Sequence, residues 1–263
     1  MTQILAIAGT TLGEAIRRRV LLIILMVGLA FIIIMPGISE LSARNSYDVL
    51  SNMTLGIIKI TSAILAVTLT VYLLPNEIER RTIYTILSKP VQRAQFLLGK
   101  YLGSVSALVV MIGLMTIVLI AAFAIQLKTT DAKTLLPLVR QSVMLVFQMS
   151  LLAALALFFS TFATPVVNFF LTGLFFVFGN LMNPLFNQLG SGKAGPVVGT
   201  LMKAAHYVIP NFGNLDVQGG ATAGEAQIRG SELVYMFNGA IYAIVYIGIL
   251  MILSIFLFEK REV

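Results

Sequence analysis

Of the 263 residues, 58% are hydrophobic and only 11% charged, well short of the roughly 25% charged share of a soluble domain, so the chain is expected to live in a lipid bilayer. With no cysteine and a single histidine, His206, it has no disulfide framework, thiol nucleophile or thiolate metal site, and almost no scope for a histidine metal site or proton relay. The net charge of +7 would suit nucleic acid, yet no lysine or arginine run forms such a patch; in a bilayer protein basic residues mark the cytoplasmic side.

The expected fold is all-α, one transmembrane domain over residues 1–263. Residues 3–19 read as an amphipathic helix. Ile4, Leu5, Ala8, Leu12, Ala15 and Ile16 share a face, with Glu14, Arg17 and Arg18 off it. This suits either an interfacial helix on the inner leaflet or a plain lead-in to the first span. Crossing the hydrocarbon core takes about 20 apolar residues. Six runs qualify, at roughly 20–38, 53–75, 102–126, 139–160, 166–186 and 232–257. The first follows Arg17, Arg18 and Arg19, but it outruns a signal core of about 7–15 residues and no small-residue cleavage site follows, so it reads as a retained anchor.

Lys59 is the one charge well inside a span, placed toward its outer end, where it is expected to snorkel to the outer surface. Thr54, Thr61 and Thr68 recur every seven residues along this second span. Pro75 ends it, lacking an amide donor. Asn76 then offers an N-cap, Glu79 a capping-box partner, and Glu77 with Glu79 an acidic first turn. Ile83, Ile86 and Leu87 form an apolar stripe, and Ser88-Lys89-Pro90 stops the helix. The loop therefore holds a short helix over about 77–87, and a second helical run from Val91 to Lys100 leads into the third span. On the fifth span Asn168, Thr172, Asn180, Asn183 and Asn187 fall near one face. Such polar stripes suit a pathway or dimer seam, or hydrogen bonds between neighbouring helices. The loop from Asn187 to Ser231 is the longest, with a helix expected over Val197–Ile209 that carries His206.

Six spans put both termini on one side. Ten Lys or Arg residues flank the spans on that side and six lie in the opposite loops, so both termini are expected in the cytoplasm. An ATP site needs a Gly-x4-Gly-Lys-Ser/Thr loop. "GSGKAG" at 190–195 has Ala194 where the hydroxyl should be, and Gly99-Lys100 is followed by Tyr101. The chain is thus expected to have no catalytic, cofactor or metal residues, and not to be an enzyme.

Glu77-Ile-Glu79-Arg80-Arg81-Thr82-Ile83, then Leu87-Ser-Lys-Pro90-Val91, Arg93 and Gly99-Lys100 resemble the inner loop of type-2 ATP-binding-cassette permeases. Arg81 stands where that pattern usually has glycine. The amphipathic start, the six spans, "YVIPNFGNLDV" at 207–217 and the C-terminal "FEKREV" extend the resemblance over the whole chain. The resemblance implies a permease subunit of an ABC transporter, of exporter type, in a bacterial inner or plasma membrane. It implies that 77–87 is a coupling helix gripped by a separate ATPase, which would bind ATP and magnesium, through Glu77, Glu79, Arg80, Arg81, Thr82, Ile83, Leu87 and Pro90. It further implies a second permease protomer, alike or paralogous, with the second and fifth spans at the dimer axis. Two alternatives stay open: a carrier or channel without an ATPase, and a membrane anchor for mechanical or signalling work.

Overall fold

A computed structural model of the chain describes residues 2–39, 46–73, 92–128, 131–189, 200, 209–216 and 232–260. Every regular element among them is helical: α1 (Thr2–Arg17), α2 (Arg19–Ser39), α3 (Ser46–Val71), α4 (Arg93–Leu127), α5 (Ala132–Ser160), α6 (Pro165–Leu189) and α7 (Glu232–Lys260), with a 3-10 turn at Phe212–Leu215. Six of them, α2 to α7, are long and apolar enough to cross a membrane, over Arg19–Gly37, Leu50–Val71, Arg93–Gln126, Leu135–Ser160, Pro165–Met182 and Leu233–Glu259. These match the six runs expected from the sequence.

The third differs in extent. It starts at Arg93, so the run that leads into it and the span are one helix of 35 residues. At 1.5 Å per residue that is about 50 Å, against a hydrocarbon core of about 30 Å. Its first turns therefore extend past the apolar layer at the end of the bundle that carries both termini. Neither Gly99 nor Gly103 interrupts it, because α1 packs against both.

α5 is the central helix, with 78% of its most apolar stretch buried against 22% for α2 and α6 and 28% for α7. Ala153, Ala154 and Ala156, each fully buried, let its neighbours approach closely. The outer helices instead turn Met26, Phe170 and Ile252, each more than 60% exposed, away from the protein. Lipid covers such a surface at no cost, whereas water would not.

α1 presents a slightly different face from the one the sequence pattern gives. Thr11 and Ala15 are buried, while Leu5 and Ile16 are 68% and 44% exposed. The docked face is set by the two glycines of α4, against which Ile4, Ile7, Ala8 and Thr11 lie, and not by hydrophobicity alone.

Candidate functional site

Two regions place polar and small residues together, one at each end of the bundle. At the end with the termini, α4 receives α1 in a Gly-x-x-x-Gly groove. A Cβ on Gly99 would fall 2.8 Å from Ile7 Cβ, and one on Gly103 would fall 2.6 Å from Thr11 Cβ and 2.7 Å from the Ala8 carbonyl oxygen. Between the two glycines the buried Lys100 reaches Glu14 of α1 at 3.9 Å and lies over the Phe96 ring. Arg93, at the start of α4, donates to the carbonyls of Phe258 and Glu259. It thereby satisfies terminal acceptors of α7 and complements that helix's dipole. Ser160 at the end of α5 donates to the Val71 carbonyl at the end of α3 (3.0 Å). The helices that precede and follow residues 74–91 are therefore each tied to a neighbour at that end.

In the opposite half, residues 209–216 enter the helix bundle. Pro210, Asn211, Phe212 and Leu215 are buried. Phe212 packs edge-on to Phe176 of α6, and Gly179 makes room for it: a Cβ there would sit 2.4 Å from the ring and 2.6 Å from the Pro210 carbonyl oxygen. Non-helical backbone at membrane depth must find its partners inside the protein, and here it does. The Phe212 carbonyl accepts from Gln148 Nε2 (3.0 Å), the Asn211 amide donates to Tyr242 Oη (2.7 Å), and the Gly213 amide donates to Asn211 Oδ1 (3.0 Å). Gln148 is midway along Leu135–Ser160, so the segment reaches the middle of the bundle.

Asp216 closes the segment. Its Oδ2 accepts from Lys59 Nζ at 2.7 Å and its Oδ1 from Gln141 Nε2 at 3.0 Å. Lys59 thus has a carboxylate partner inside the bundle. Its backbone lies deeper than its charge, which meets Asp216 level with Gln141, about 10 Å of helix rise from Gln148. Thr61 packs on Gly28, the middle residue of the Arg19–Gly37 stretch, and Lys59 is only about 3 Å of helix rise beyond it. An unpaired ammonium at that depth would be costly.

The polar stripes named from sequence have definite surroundings. Thr54 is buried and donates to the Leu50 carbonyl, Thr61 packs on α2, and Thr68 is half-buried. Asn168 Nδ2 donates to the Ala156 carbonyl and Ser160 Oγ of α5, and Asn168 Oδ1 accepts from Thr172. Asn180 accepts from Gln148 and donates to the Phe176 carbonyl. Asn168, Thr172 and Asn180 thus form polar contacts along the α5–α6 seam. The side chains of Asn183 and Asn187, together with His206 and the 190–195 glycine run, lie outside the described residues, as do Glu77, Glu79, Arg80, Arg81, Thr82, Ile83, Leu87 and Pro90. Sequence reading passed over Gln141 and Gln148, two amides seven residues apart in an apolar run, a spacing that puts both on one helical face. It also passed over Asp216 as the partner of Lys59.

No curated protein matches the chain. The family model described as "ABC-2 family transporter protein" matches residues 5–263. With six membrane-length helices and a match over nearly its whole length, the chain belongs to the ABC-2 family of transporter membrane proteins.

Proposed function

We propose that this chain is the permease subunit of an ATP-driven exporter, working as a dimer above two separate ATPase subunits, with both termini in the cytoplasm. The ATPase would bind ATP and magnesium and grip the 77–87 segment through the residues named above. The observation that carries this reading is the bracing on both sides of that segment. α3 is fastened to α5 by Ser160 and the Val71 carbonyl, and α4 is fastened to α7 by Arg93 and to α1 by Gly99, Lys100 and Gly103. Braced helices transmit displacement of the loop between them as rigid-body motion, which a loose connection would absorb.

The dimer reading draws on the free faces of α3 and α6. Ile60 and Ile64 of α3, Tyr72 just after it, and Phe170, Leu174 and Val177 of α6 are all exposed. A second protomer on these faces would put the path between the two copies. The decisive experiment is co-purification with a candidate ABC-type ATPase encoded nearby. Glu79→Lys, or deletion of 77–87, is expected to abolish the complex, and a complex that survives the deletion would sink the coupling reading.

One observation favours a different mechanism. Intramembrane ion pairs such as Lys59–Asp216 occur in carriers driven by ion gradients. Uptake or efflux driven by a proton or sodium gradient in vesicles free of ATPase would select that reading.

A further inference from the structure

We infer that Lys59 and Asp216 form a catch between α3 and the 209–216 segment, opened and remade once per transport cycle; this rests on the ATP-driven reading above. α5, α6 and α7 hold the segment by packing and by bonds to its main chain, through Gln148, Phe176, Gly179 and Tyr242. α3 reaches it through the Lys59 charge. The two oxygens of Asp216 therefore belong to two elements: Oδ2 to α3 through Lys59, and Oδ1 to α5 through Gln141. When α3 withdraws, the carboxylate keeps its Gln141 bond and the segment stays on α5.

The pair is built to part. Lys59 and Asp216 side chains are 22% and 19% exposed, so neither is sealed inside the protein. A pair sealed from water would need two bare charges in an apolar medium before it could separate, at a cost of several kcal/mol per ion. A pair left open on one side, as here, can exchange each partner for water once the proposed path beside it fills. The lever is α3 itself. It runs unbroken from Lys59 to Val71, about 18 Å, and ends beside the inner loop on which the ATPase would pull. A tilt of α3 at that end moves Lys59 relative to a segment anchored on α5. Lys59 and Asp216 act here as positioning residues: they set where the outer segment stands and need not touch cargo.

The absence of cysteine from the chain makes the test direct. Lys59→Cys and Asp216→Cys are introduced together, and the complex with its ATPase is reconstituted in liposomes. The thiols are joined by a short, reducible bis-methanethiosulfonate linker. A linker is used because a lysine and an aspartate together bridge a wider gap than a disulfide spans. The linked complex is expected to hydrolyse ATP at least tenfold more slowly than the same sample after dithiothreitol. Equal rates before and after reduction would overturn the catch while leaving the ATP-driven reading intact. Failure of the unaltered chain to retain any ATPase would overturn that reading and the catch with it. In case the cysteine pair folds poorly, the charge-swapped Lys59→Asp/Asp216→Lys protein is the second variant. It is expected to recover the turnover that either single reversal loses, and a swap no better than the single reversals would count against the catch.

Discussion

Gly179 and Gly113 are both helical glycines on membrane-length helices, and their surroundings predict opposite outcomes. At Gly179 a methyl would meet the Phe212 ring and the Pro210 carbonyl, whereas at Gly113 nothing lies within 4 Å. Gly179→Ala is expected to cost about 1–3 kcal/mol, the usual range for overpacking a filled site. Gly113→Ala should cost nothing, since alanine is the better helix former. Unfolding in detergent with increasing denaturant would show whether the two part in this way. Gln148 supplies a second case. It holds both the Phe212 carbonyl and Asn180, so Gln148→Leu strands a buried acceptor and is expected to lose about 1–3 kcal/mol by the same assay.

Among the elements, the last turn of α7 depends on a residue more than 160 positions earlier. Arg93 donates to the Phe258 and Glu259 carbonyls, a cation at a helix C-terminus worth about 1 kcal/mol. Arg93→Ala should therefore speed hydrogen exchange in that turn about fivefold, with α5 unchanged. α1 offers a sharper contrast. Gly103→Leu would drive a branched side chain into Thr11 and the Ala8 carbonyl, so α1 is expected to leave α4 and become open to proteolysis while α2 to α7 remain intact. This interface explains part of the sequence reading. "GK" entering the third span was legible as a motif, but its physical content, a groove for α1 with a lysine facing Glu14, needed the partner helix to be in place.

For the molecule as a whole, topology and assembly can be checked from single cysteines placed in a chain that has none. Gln3→Cys should react with an impermeant maleimide only in inside-out vesicles, and Asp131→Cys only in right-side-out ones. Ile64→Cys, on the free face of α3, should yield a disulfide-linked pair of protomers. Val110→Cys, which is equally exposed on α4, should not, because a lipid-facing site has no matching copy opposite. The six spans were readable because the length of an apolar run is a property of the sequence alone. The identity of the partner of Lys59 was not, since Asp216 is 157 residues away and only folding sets them side by side. For the amides of α6 the sequence supplied a stripe with two uses. Packing shows Asn168 bonded to α5 and Asn180 bonded to Gln148, contacts that no helical wheel for one span could reveal.

The ion pair between Lys59 and Asp216 also fixes an order of events at synthesis. Its cation emerges from the ribosome 157 residues before its anion, a delay on the order of 10–30 s at ordinary elongation rates. Throughout that interval α3 carries an uncompensated charge, which costs about 2.5–3.5 kcal/mol at the centre of a span. The nascent second span is then expected to ride high, with Lys59 nearer the headgroups, until Asp216 arrives to draw it in.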